Sequence, residues 1–250
     1  MQEVQPKAGY NYLNVVVAGF IITLLTSNIL TSAKLVDTGF SFMGINLIFD
    51  GGLIVFPLCY IFGDILTEVY GFKRSRQVIW LGFFGLFFLM CTTLLLKYLP
   101  GETSWVEAGG QNSFNMILFG LYSGGLIISS LSAYLLGEFV NSILLSKLKI
   151  IFKGKKMGLR FILSTIFGQL VDNIVFFLLA TILQVFSWNL FITLFLTNYF
   201  FKIGVEIIAL PLSLKVTKCL KKAEDLDVYD NDESYNPFKF SLDESPKIKT

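Results

Sequence analysis

Residues 161–215 read FILSTIFGQLVDNIVFFLLATILQVFSWNLFITLFLTNYFFKIGVEIIALPLSLK. Two apolar runs lie here, at 161–186 and 188–215, parted by Ser187-Trp188-Asn189. A helix needs about 20 apolar residues to cross the hydrocarbon core of a bilayer. Each run meets that length, and so short a break makes the two an antiparallel hairpin. Their few polar residues share helical faces. Gln169, Asp172 and Asn173 lie together on the first, and Asn198, Lys202 and Glu206 recur at steps of four on the second.

Four more runs precede this hairpin, at about 12–33, 46–69, 77–98 and 115–145. The expected fold is therefore an all-α bundle of six transmembrane helices, with the long fourth run tilted or broken. Composition agrees. Of 250 residues, 54% are hydrophobic and 15% charged, against roughly 25% charged in a soluble domain. Mean hydropathy is +0.67. The first run, starting near Tyr12, is too long for a cleavable signal and lacks a small-residue cleavage site. Three regions follow: a short N-terminus (1–11), a transmembrane domain (12–218) and a tail (219–250). Asp225, Asp227, Asp230, Asp232 and Glu233, with Pro237 and Pro246, give that tail the composition of a disordered acidic appendage.

Basic residues set the orientation. Lys73, Arg74 and Arg76 follow the second run, Lys147 to Arg160 join the fourth and fifth, and Lys215, Lys218, Lys221 and Lys222 follow the sixth. With six crossings these segments fall on one side, so both termini are expected in the cytoplasm. Glu102 and Glu107 fall on the other. Small residues at four-residue steps (Gly19, Thr23, Ser27, Thr31; Gly125, Ser129, Ala133, Gly137) read as close helix–helix seams. The third run has almost no polar side chain and is expected at the lipid-facing periphery. Pro57 is expected to kink the second helix.

Several chemistries have little to work with. The chain has no histidine, and Cys59, Cys91 and Cys219 form no CxxC pair, so neither a metal centre nor a redox motif is expected. No Walker A loop is present, so this chain does not itself hydrolyse ATP. An intramembrane aspartyl protease using Asp64 and Asp172 lacks the expected GxGD, because Ile61 precedes Phe62-Gly63-Asp64.

Ionisable residues inside a membrane cost several kcal/mol unless paired or wetted. Asp64 and Glu68 share a face of the second helix, and Glu138 and Asn141 a face of the fourth. Asp172 stands about 11 residues, roughly 16 Å, from one end of its helix, and Lys202 about 14 residues, roughly 21 Å, from the opposite end of its own. Both fall near the midplane on neighbouring helices. They form either a structural ion pair or part of a polar cavity. As a cavity, Gln169, Asp172, Asn173, Asn198 and Lys202 offer donors and acceptors for the edge of a purine-like ring. Tyr60, Tyr134, Tyr199 and Phe176 offer stacking faces. Asp64 and Glu68 can gate one end, pairing with Arg74 or Arg76, or carry a coupling proton.

One segment is more specific. Phe56-Pro57, Tyr60, the run Gly63-Asp-Ile-Leu-Thr-Glu-Val-Tyr-Gly71, Arg74 and Arg76 resemble the signature of the queuosine-precursor transporter family, also grouped as vitamin-uptake transporters. Asn28 with Lys34, Ser132-Ala133-Tyr134, Arg160 with Ser164-Thr165, Gly168-Gln169 with Asp172, and Tyr199 with Lys202 before Pro211 follow in the family's order. The resemblance covers about residues 12–218. Glu138 and Asn141 stand where glutamine and aspartate are expected, and the tail lies outside the pattern. The resemblance implies import of 7-deazaguanine bases (preQ0, preQ1 or queuine) across a bacterial inner membrane for tRNA queuosine salvage. It implies no cofactor and no nucleic-acid partner. Separate ATPase subunits are possible but not required. The competing classes are a substrate-binding component of a multi-subunit vitamin importer and a non-transporting scaffold.

Overall fold

The computed structural model describes residues 10–42 and 45–239. In chain order it has α1 (Leu13–Ala33), strands β1 (Leu35–Phe42) and β2 (Ile45–Asp50), a 3-10 turn (Gly51–Ile54) and α2 (Phe56–Tyr70). Then follow α3 (Phe72–Tyr98), α4 (Thr103–Glu107), α5 (Gly110–Tyr122), α6 (Gly124–Ile151), α7 (Met157–Ile182) and α8 (Trp188–Glu224). Among the described residues five helices, α1, α3, α6, α7 and α8, are long and apolar enough to cross a bilayer.

Polarity runs opposite to that of a water-soluble domain. Phe84, Phe87 and Phe88 on α3, Met116 on α5, and Ile207, Ile208 and Leu212 on α8 are exposed. Asp64, Glu68, Arg160, Gln169, Asn173 and Glu206 are buried. Such a surface suits lipid, where backbone groups must be satisfied within helices. The chain is a multi-pass helical membrane bundle. α3 does face outward with its phenylalanines, yet Ile79, Leu86 and Met90 on its other side are buried in the core.

Three expectations need correction. The second apolar run is not helical from residue 46. Residues 45–50 form β2, which pairs antiparallel with β1 from Leu35↔Asp50 to Phe42↔Ile45, a short hairpin on an otherwise helical fold. The chain then turns at Gly51-Gly52, where the Asp50 carboxylate accepts from the Gly52 N–H at 3.0 Å. A Cβ on Gly51 would come within 2.7 Å of the Leu30 carbonyl oxygen, so this turn lies directly on the end of α1. Pro57 accordingly occupies the first turn of α2 and begins the helix without kinking it. The fourth run takes one of its two expected forms: it is broken at Ser123 (φ −69°, ψ 116°) into α5 and α6.

The third correction concerns the tail. α8 continues to Glu224, and residues 225–239 pack on the bundle instead of standing free. The Asp230 carboxylate accepts from the Phe72 N–H at 3.0 Å and from Ser146 Oγ at 2.6 Å. Arg76 donates to Glu233 at 3.0 Å and to the Ser234 carbonyl at 2.7 Å. Trp80 Nε1 donates to the Pro237 carbonyl at 2.9 Å. The reason is local: α3 and α6 present cations and a helix N-terminal N–H here, and the tail supplies acceptors. Residues 1–9 and 240–250 of the proposed termini lie outside the described residues.

These contacts define one end of the bundle. Glu224 accepts from the Asn11 and Tyr12 N–H groups at 2.9 and 2.6 Å and from Tyr70 Oη at 2.8 Å. The start of α1, the end of α2 and the end of α8 therefore meet. At the other end, Ser32 Oγ donates to the Ile117 carbonyl at 2.7 Å, and Thr31 Oγ1 to Asp50 at 2.7 Å. There Glu102 caps α4, accepting from the Ser104 hydroxyl and from the Ser104 and Trp105 N–H groups. Those hydrogen bonds hold its carboxyl down to about 2.

Candidate functional site

α6 and α7 cross at a pair of glycines. A Cβ on Gly168 would lie 2.7 Å from Asn141 Cβ, and one on Gly137 would lie 2.8 Å from Asp172 Cβ. The small-residue steps thus serve packing within the chain at this point, and the closeness sets Asn141 beside α7 and Asp172 beside α6. Gly168→Leu should cost at least about 1–3 kcal/mol by overpacking. A lowered unfolding temperature in detergent would register it; an unchanged one would mean that the helices are not this close.

Beside the crossing lies a cavity of about 150 Å³, room for far more than one water. Its polar lining comes from Asn28 on α1, Tyr60 on α2, Glu138 and Asn141 on α6, Gln169, Asp172 and Asn173 on α7, and Asn198 and Lys202 on α8. Phe56, Tyr134, Phe176 and Phe177 supply aromatic walls. Lys202 Nζ donates to Asp172 Oδ2 at 2.8 Å and sits 5.2 Å from the centre of the Phe56 ring. The Asp172 and Lys202 side chains are 22% and 14% exposed, so this pair is open to the cavity and not sealed.

Three buried polar atoms on the lining have no hydrogen-bond partner among the described residues: Tyr60 Oη, Asn141 Oδ1 and Gln169 Oε1. Each such group costs about 1–3 kcal/mol unless something else satisfies it. Asn173 differs, its amide donating to the Gln169 carbonyl at 2.8 Å, and Tyr134 Oη donates to the Ile79 carbonyl at 3.0 Å.

Six of the expected binding residues therefore come together: Tyr60, Gln169, Asp172, Asn173, Asn198 and Lys202. Tyr199 does not line the cavity. Its hydroxyl donates to the Ile166 carbonyl at 3.2 Å and its ring stacks on Phe195 at 5.9 Å. Thr31, Asp50 and Thr165 also line the cavity, although small polar residues in apolar runs read as packing. Asn28 and Phe56 are visible in the sequence only through the family resemblance.

The expected pairing of Glu68 with Arg74 or Arg76 is not what the structure holds. Glu68, fully buried, pairs with Arg160 through both carboxylate oxygens and with Lys221 at 2.6 Å, with Lys149 at 3.8 Å. Asp227 of the tail completes the cluster at 2.5 Å from Lys149 and 2.7 Å from Lys221. Burial raises the pKa of Asp227, but hydrogen bonds to those two ammonium groups outweigh it and hold the carboxyl below its usual range. Arg76 is taken by Glu233, and Arg74 donates to Gln77 at 3.0 Å and lies over the Tyr10 ring at 5.4 Å. Asp64 is bonded to Asn141 at 3.5 Å.

A family profile described as "Putative vitamin uptake transporter" matches residues 50–216, about two-thirds of the chain, and spans every helix of this site except α1. The chain belongs to that family of transporters. It is 26% identical over 177 residues to the "Probable queuosine precursor transporter" of Bacillus subtilis (strain 168), covering 69% of this chain and 73% of the relative. It is 24% identical over 196 residues to the "Queuosine precursor transporter" of Escherichia coli (strain K12), covering 76% and 81%. No solved structure matches the chain. Among transporters, a polar cavity enclosed by helices is the natural place for substrate.

Proposed function

We propose that this chain imports queuosine precursors, 7-deazaguanine bases such as preQ0, preQ1 or queuine, across a bacterial inner membrane for tRNA queuosine salvage. The observation that carries the reading is the set of unsatisfied groups on the cavity wall. Asn141 Oδ1 and Gln169 Oε1 accept hydrogen bonds, Asp172 accepts more strongly, and Tyr60 Oη and Lys202 Nζ can donate. A deazaguanine edge carries N–H donors beside a carbonyl and so complements that set. Phe56 and Phe176 offer faces for its ring. The names of the two relatives support the same substrate class.

Import needs a path, and the topology supports six crossings. α1 begins at the end where Glu224 caps it, and α2 finishes at that same end, so the short α2 returns the chain across the bundle. The basic residues Arg76, Lys149, Arg160 and Lys221 gather there as well. By the positive-inside rule this end, with both termini, is cytoplasmic. The transporting unit is residues 12–218. The Glu68 cluster, with Arg76 held by the tail, closes the cavity's cytoplasmic side in this state. Alternating access then opens it. ATPase subunits are not required.

The test is uptake in a bacterial strain that cannot make queuosine precursors and lacks its own importer. Each base is supplied at low concentration and queuosine in tRNA is scored. Expression of this chain should restore the modification. Well-expressed protein that restores it with no base rules the reading out. Purified protein that binds a base in liposomes but never exchanges it favours a binding subunit of a larger importer.

A further inference from the structure

Two carboxylates at the contact between α2 and α8 stand apart from every ion pair among the described residues. Glu206 is 1% exposed, and neither of its oxygens has a hydrogen-bond partner among the described residues. Asp64 is also 1% exposed, and its Oδ2 is unpartnered. Its other oxygen receives only the long bond from Asn141. The helices that carry these two acids, α2 and α8, pack against each other.

The groups around them offer little relief. From α6, Glu138 adds a third acid; its Oε2 would sit 3.6 Å from a Cβ on Gly63, the residue before Asp64. One turn along α2, Glu68 is matched by Arg160, Lys149 and Lys221. In the cavity, Lys202 is matched by Asp172. Ionised carboxylates in such a place are very costly, and two of them repel as well. A proton on the pair relieves both costs.

We infer that Asp64 and Glu206 are a proton-carrying pair that couples substrate movement to proton movement. This rests on the import reading above. Glu68 serves as the internal contrast: equally buried on the same helix, its carboxylate is met by three cations, whereas Asp64 and Glu206 meet none among the described residues. The link to substrate is Asn141, which lines the cavity and bonds Asp64. A base that engages Asn141 Oδ1 reorients that amide and changes the hydrogen bond it donates to Asp64. Binding and protonation are thereby tied. No covalent step is involved: a proton enters a carboxylate from one side and leaves to the other.

The test uses the purified full chain in liposomes with labelled preQ0, preQ1 and queuine. Two assays are run: exchange at equal pH, and net accumulation with the lumen one pH unit more alkaline. One proton per base sustains about a tenfold concentration ratio under that gradient. Wild type should reach that ratio, and base addition should acidify the lumen. Glu206→Gln and Asp64→Asn should exchange base normally but fall to a ratio near one. Gradient-driven accumulation that survives in both variants overturns the inference, as does accumulation driven by a sodium gradient and not by pH. Loss of exchange in both well-folded variants also overturns it, since the acids would then serve substrate movement itself. Wild-type exchange without any pH response sinks the coupling alone. Absence of exchange by wild type sinks the import reading, and the coupling with it.

Discussion

Glu68→Gln should cost about 3–5 kcal/mol of stability, the usual penalty for removing one partner of a buried ion pair. The geometry explains why this substitution is worse than its mirror image. Glu68 is met by Arg160, Lys221 and Lys149. Without its charge, three cations remain with only Asp227 among them, and Asp227 contacts the two lysines, not Arg160. Arg160 still reaches the Lys155 and Gly154 carbonyls at 3.0 and 3.3 Å, but carbonyls do not neutralise a guanidinium. Arg160→Gln leaves Glu68 with Lys221 at 2.6 Å, so its cost should be smaller. Thermal unfolding in detergent would rank the two. If Glu68→Gln melts within a degree or two of wild type, the cluster is not the keystone of the cytoplasmic end.

The long helices, and the meeting of Asp172 with Lys202, could be read from the sequence because lipid imposes a simple rule: long apolar runs cross, and charges within them need partners. The partners of Glu68 could not. The expected partners Arg74 and Arg76 lie within eight residues of Glu68, whereas the actual partners Arg160 and Lys221 are 92 and 153 residues away. Only the packing of α2 against α6, α7 and α8 brings them together. The start of α2 was hidden for another reason: residues 46–55 are apolar enough for a strand or a helix, and periodicity does not separate the two in so short a run. Gly51-Gly52 before Phe56-Pro57 was the available signal, a turn followed by a helix start. The tail misled because composition counts its acids and ignores what they meet. Asp227, Asp230 and Glu233 meet Lys149, Phe72 N–H and Arg76. Tyr235 also packs 5.1 Å from Phe72.

Asp172→Ala should weaken base binding by about 10²–10³-fold, as expected when a charged hydrogen-bond partner worth roughly 3–4 kcal/mol is lost. Two readings of Asp172 predict this for different reasons. If the Asp172–Lys202 pair is purely structural, the harm comes from leaving Lys202 uncompensated, over Phe56 at 5.2 Å. Removing Lys202 as well should then restore both stability and binding. If Asp172 accepts the N–H groups of the base, the double variant regains stability but not affinity, because no acceptor returns to the cavity. The partial exposure of both side chains to the cavity favours the second outcome. Thermal unfolding and calorimetric binding on wild type, Asp172→Ala, Lys202→Met and the double variant complete the cycle. Recovery of affinity in the double variant would make the pair a strut, and substrate recognition would pass to Gln169, Asn141 and Tyr60. Their unpaired atoms would still need a partner inside the same cavity.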